Sequence, residues 1–406
     1  MPTVPLLAQG DNVVWSVWED RWVDAAQRYL EIALRVGTLV PGWIDSYAGP
    51  PELKDAVEAG PEPSIEGVLC DAAELAEHVS SEERDPRRRA WILAQLQGIC
   101  TALRWRQGET MDYRAMFESC HGAVVEVVPD SEFEHAHSLL DRALPGGGGV
   151  AERYRAWEAA QAVPRDRLRS ALDLLSAEMR RRSRERFGLP DDEAVLWELV
   201  SDKSWAGNAE YLGRRQTRIG INTDLPIGSH RLLELVCHEA YPGHHSEHAC
   251  KDALGHEELS VFVYPTPQAL IAEGIAECAI EALLGDDAEA IAADCVRPAD
   301  IPYDPVIAAA VRRAEILLLP VRSNVALMLD AGATSAEAHD YAKTWWPFHE
   351  PDVIDKAITH LEARSWRPYE SCYPVGRTLC RHYAVGDDAR FADLLRLQLI
   401  PADLMA

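Results

Sequence analysis

In the stretch ELVCHEAYPGHHSEHAC (residues 234–250), His238 and Glu239 stand side by side, and further histidines follow at 244, 245 and 248. Imidazoles and carboxylates are the usual ligands of zinc, and a glutamate next to a ligating histidine is the usual general base of zinc-dependent hydrolysis. The familiar motif sets its two histidines four apart, so that both fall on one helical face and share the ion. Here Pro242 occupies that fourth position and His244 comes six residues after His238. On an unbroken helix His244 would lie about 120° off the face of His238, and His245 would stand about 10 Å further along the axis. Proline removes a backbone donor and collides with the carbonyl of residue 238, while glycine admits conformations closed to other residues. Pro242–Gly243 therefore predicts a kink or bulge, the kind of break that a return of His244 over His238 requires. The choice between His244 and His245 as second ligand stays open at this level.

A third ligand is sought further along. Thr266 as cap, Pro267 at the first helical position and Gly285 beyond the end predict a helix over 267–284. On it Glu273, Glu277 and Glu281 recur every four residues among Ile271, Ile275 and Ile280. Like charges at that spacing repel by about 0.2–0.5 kcal/mol per pair. A cation beside Glu273 and a histidine partner for Glu277 would relieve this, and Gly274 would let another helix approach closely. The pattern gives His238, one of His244 and His245, and Glu273 as candidate metal ligands, with Glu239 as general base. His245, Glu277 and His248 are outer partners or alternative ligands. The expected ion is one zinc per chain with a position left for water; iron or manganese suits the same His/His/Glu composition. Two rivals stand beside a hydrolase. One is a non-catalytic metal site closed by His245 or His248, and the other is a metal-dependent enzyme of different chemistry. Arg322 and Arg377 are candidates to hold a substrate carboxylate.

Helical periodicity dominates the elements that must carry these residues, as in AWILAQLQGICTALRW (90–105) and RDRLRSALDLLSAEMRRRSRERF (165–187). Four consecutive glycines, Gly146 to Gly149, predict a joint between a helical region over 1–145 and a metal-binding region over 146–406. The two are expected to form one continuous fold with a groove between them. One alternating stretch, RQTRIGINTDLP (215–226), predicts a strand, with LSVFVYP (259–265) as its expected partner. A strand edge beside the metal helix is a means of holding an extended peptide by main-chain hydrogen bonds, with Asn222 as a substrate-binding candidate, and a purely structural, hairpin-like pair is the equal alternative. Ser229 is the expected cap of the helix that leads to His238.

Over the 406 residues, acidic side chains outnumber Lys plus Arg by 66 to 40, a formal net charge of −26. Such a surface repels phosphates, so neither nucleic acid nor an anionic membrane is an expected partner. No secretory signal is expected in the first residues, and no apolar run is long enough for a bilayer. Nine scattered cysteines without a CxxC pair imply reduced thiols and a cytoplasmic setting. Two Glu-x-x-His units, Glu118 to His121 and Glu134 to His137, carry the spacing of di-iron helix bundles, but only a short loop separates them and no matching lone glutamates stand out, so no di-iron site is expected.

HEAYPGHH (238–245) followed by AEGIAE (272–277) resembles the bacterial family called domain of unknown function 885, which carries His-Glu-x-x-Pro-Gly-His-His. The resemblance extends to WIDSYAGPPEL (43–53), LPGGGGVAERYRAW, RFGLP, IGINTDLP and CYPVG (372–376). It implies a mainly α, elongated, zincin-like fold similar to the thermostable carboxypeptidase Taq family, with a small β-sheet next to the metal helix. It also implies metallopeptidase activity on a short peptide or related amide. The same resemblance makes His238, His244 and Glu273 ligands, Glu239 the base, and Tyr373 a candidate oxyanion donor.

Overall fold

The computed structural model describes residues 25–203, 207–224, 226–346, 348–349 and 351–405. The N-terminal segment considered above lies outside them. The described chain is mainly helical, with two small sheets. Its helices begin where the local chemistry says they should. In Pro86–Arg106, Asp85 accepts from the N–H groups of Arg87 and Arg88 and Pro86 supplies the first turn. Thr334 and Glu337 close a capping box at Ser335–Trp345.

Two apolar clusters fill the interior. One gathers Tyr29, Trp43, Trp91, Phe117, Phe133 and Ile358. The other gathers Leu172, Met179, Phe187, Leu232, Phe391 and Leu394. The helix Pro267–Leu284 belongs to both, giving Ala269, Leu270 and Ala272 to the first and Ile271, Ile275, Cys278 and Ala279 to the second. A helix apolar on nearly every side must be central. This one carries Glu273 and Glu277. It crosses the helix Cys372–Ala384 so closely that a Cβ on Gly274 would stand 2.4 Å from the Gly376 carbonyl oxygen, and one on Gly376 would stand 2.2 Å from that of Leu270.

The strands depart from expectation. β1 (Ile44–Tyr47), β2 (Ala194–Val200), β3 (Gly207–Gly213), β4 (Gln216–Asn222) and β5 (Val261–Val263) form two sheets, β1-β5 and β2-β4-β3. The predicted strand is β4, with Thr217, Ile219 and Ile221 buried. Its neighbours are β2, parallel, and β3, antiparallel, whereas β5 pairs with β1. β4 therefore has both edges occupied and offers no free row of backbone groups to a peptide. Asn222 donates to the Lys203 carbonyl and accepts from the Asp224 N–H, so both ends of its amide are engaged within a loop.

The four glycines lie between the helices Asp130–Ala143 and Val150–Ala160, both of which pack into the first cluster. The di-iron spacing does not assemble. Glu118 and Glu134 are exposed, His121 Nδ1 donates to the Phe117 carbonyl, and His137 bonds the Trp345 carbonyl.

Two outcomes test this packing. Gly274→Ala should lower stability by about 1–3 kcal/mol, read as a lower urea midpoint, because a methyl there meets backbone rather than a movable side chain. Burial also holds His121 and His230 neutral, each pushed down to about 3. The unfolded chain binds their protons near 6.5 and the folded chain does not, so stability present above that value should fall as pH drops from about 6.5 towards 3. A Tm series should find a shallower acid loss in His121→Phe.

Candidate metal centre

The helix Ser229–Leu235 runs without interruption into a π turn, Val236–Ala240, that holds His238 and Glu239. Gly228, not Ser229, sits at the cap position, and Ser229 is buried. The wider turn closes when the Tyr241 N–H reaches the Val236 carbonyl at 2.9 Å. A cis peptide joins Tyr241 to Pro242, and a new helix, His244–Asp252, begins after Gly243. A Cβ on Gly243 would lie 1.8 Å from the His238 carbonyl oxygen and 2.4 Å from that of Cys237. Only glycine lets the chain fold back so tightly on the turn before it. The π turn, the proline and the glycine together absorb the two additional residues. The rings of His238 and His244 meet edge-to-face, 4.8 Å between centroids at 86°.

Glu273 completes the group. His238 Nε2 stands 3.5 Å and His244 Nε2 3.8 Å from Glu273 Oε2, and ligand atoms of the three residues all lie within 4.8 Å of one another. These separations are long for hydrogen bonds. They are close to the roughly 3.4 Å between ligands placed tetrahedrally at about 2.1 Å from one ion. Glu273 is 1% exposed, and its Oε2 has no hydrogen-bond partner. Its Oε1 accepts from Tyr369 at 2.7 Å, and Tyr369 in turn accepts from Tyr373 at 2.7 Å.

Burial alone would raise the pKa of Glu273, but His244, His238 and Tyr369 outweigh it and lower it below the usual carboxylate value. His238 is likewise opposed by burial, yet Glu273, Glu239 and Glu277 push it up to about 10. Glu277 Oε1 stands 3.7 Å from His238 Nδ1, on the side of the ring away from Glu273, and desolvation raises its pKa. This places Glu277 where a carboxylate orients a ligating imidazole. Glu239 is half-buried, and its charge acts on both His238 and Asp45.

The other named residues divide. Tyr373 lies over His238 at 6.4 Å between ring centroids, but its proton is engaged by Tyr369 rather than aimed at open space. Arg322 sits 4.9 Å from the centre of the Tyr373 ring and bonds Glu370 at 3.1 Å, so its charge is already matched. Arg377 is buried, bonding the Glu277 carbonyl and the Glu281 carboxylate, and serves the helix crossing. His245 turns away from the cluster: Nδ1 meets Thr217 at 2.8 Å and Nε2 meets Glu193 at 3.0 Å. Of the two, it is His244 that gathers with His238 and Glu273. His248 stacks on Tyr211 at 4.7 Å and packs against Phe262, with burial lowering its pKa to about 3; it does not join the three.

Two residues were missed. Tyr369 carried no motif signal of its own. Asp45 occupies the irregularity between Ile44 and Ser46 in the β1-β5 pairing, where a bulge re-aims a side chain. It opens to solvent, yet desolvation by the surrounding walls, the nearby Glu273 and Glu239 opposing His244 and Tyr264, pushes it up to about 6. Its only sequence signal was the WIDSYAGPP resemblance.

No protein-family model matches the chain, and no curated protein does. Among solved structures, that of "the putative lipoprotein from Colwellia psychrerythraea" superposes with a TM-score of 0.51 at 16% identity, covering 84% of this chain and 68% of that one. At that identity the likeness is one of fold. No helix among the described residues is long and apolar enough to cross a membrane.

Tyr369→Phe would leave Glu273 Oε1 buried without its donor. Denaturant unfolding of the metal-free protein should show a loss of about 1–3 kcal/mol, whereas an unchanged midpoint would show that Tyr369 does not support the carboxylate.

Proposed function

We propose that the chain is a zinc-dependent hydrolase of zincin-like plan, cleaving short peptides or related amides. The observation that carries this reading is the buried Glu273 Oε2, which faces the Nε2 atoms of two histidines and has no hydrogen-bond donor of its own. Without an ion the charge on His238 offsets this anionic oxygen only from 3.5 Å, whereas an ion held by all three residues would meet it directly. His238, His244 and Glu273 would hold the ion, whose chemistry is to polarise a carbonyl and bring a bound water's pKa towards neutrality.

The remaining work belongs to the protein. Glu239 accepts the attacking water's proton and returns it to the leaving nitrogen. Glu277 keeps the His238 ring turned towards Glu273, and Tyr369 fixes the Glu273 carboxylate. A structural zinc site closes its shell with four protein ligands. Among the described residues only His238, His244 and Glu273 gather, because His245 and His248 are held elsewhere, and this favours an open, catalytic site over a storage one. The nine unpaired cysteines support a reducing, cytoplasmic setting.

Metal analysis of the native chain and two variants tests the reading. One zinc per chain is expected in native protein and in Glu239→Gln, and none in His238→Ala. Cleavage of a peptide library should be lost in Glu239→Gln by at least about 100-fold, the usual contribution of a general base. A native chain that binds no zinc after reconstitution would overturn the proposal.

A further inference from the structure

Glu193, just ahead of β2, is fully buried, and it meets the chain on both sides of the Pro242–Gly243 break. Its Oε2 accepts from the Tyr241 hydroxyl at 2.7 Å and lies 3.0 Å from His245 Nε2. Tyr241 and His245 are the residues that bracket Pro242, Gly243 and His244. The other oxygen, Oε1, is held by Arg180 at 2.6 Å and Arg184 at 3.0 Å, both on the helix Leu168–Phe187. Thr217 on β4 meets His245 Nδ1 at 2.8 Å, which leaves Nε2 as the nitrogen that donates to Glu193. Ser246 closes the far side by donating to the Ala240 carbonyl at 2.9 Å.

From this we infer that Glu193 is a positioning residue for the metal ligand His244, acting through Tyr241 and His245 as a clamp on the three-residue turn between them. The inference rests on the metal-site reading above. The physical argument is one of freedom. His244 opens its helix, and Gly243 just before it has no side chain with which to anchor the turn. Two bonds to one buried carboxylate oxygen pin both flanks to a scaffold outside the histidine segment. That scaffold is rigid, because β4 is paired on both edges and two arginines hold the carboxylate's other oxygen. The second histidine of the His-His pair thereby has a task distinct from ligation.

Zinc affinity, measured by chelator competition on the full chain, tests this alongside thermal unfolding of the metal-free proteins. Glu193→Gln should weaken zinc binding roughly 10–100-fold, the usual cost of losing a residue that orients a ligand. Tyr241→Phe, which removes one of the two bonds and keeps the ring, should weaken it several-fold while remaining folded. Glu258→Gln, at a buried carboxylate paired with Arg88 and Gln398, should lower Tm and leave zinc affinity unchanged. Tyr241→Phe and Glu193→Gln with native affinity, whatever their Tm, would overturn the clamp while leaving the zinc site standing. A native chain without zinc affinity would overturn both.

Discussion

The arrangement of this protein turns on one carboxylate. Glu273 is set in the middle of a helix that is apolar on nearly every side, where an ion is expensive to keep. Its charge persists because two imidazoles and a tyrosine hydroxyl converge on it from three other elements. Each of these requires structure of its own. The hydroxyl needs the close crossing of two helices at Gly274 and Gly376, and His244 needs a chain reversal that no regular helix provides. The surrounding fold can be read as what it takes to bring these groups to one buried oxygen.

Much of this was legible in the residues. The helix over 267–284, the strand at β4 and the close approach at Gly274 followed from capping, alternation and the absence of a side chain. The gathering of His238 and Glu273 with a histidine from beyond the break followed from residue types and from the break itself, but which of His244 and His245 it would be did not. The form of that break did not. A π turn and a cis peptide are both solutions to an insertion, and local sequence does not choose between such solutions because tertiary contacts do.

What could not be read was partnership at a distance. Strand pairing depends on which edges the packing brings together, so β4 was assigned a neighbour that in fact pairs with β1. His245 and His248 look equivalent to His244 as letters, but Glu193, Thr217 and Tyr211 lie 28 to 52 residues away in sequence and draw them elsewhere. The small sheet was expected to serve a substrate. In the fold its Thr217, with Glu193 just ahead of β2, bonds His245.

The crossing at Gly274 and Gly376 has a mechanical consequence. Two helices in contact backbone to backbone cannot slide or rotate past one another without a steric barrier, so Glu273 on one and Tyr369 and Tyr373 beside the other keep a fixed distance. The crossing is thus a fixed reference against which Glu273 is held. Local rearrangement near Glu273 falls instead to less extensively bonded neighbours, such as the short β1-β5 pair that bears Asp45.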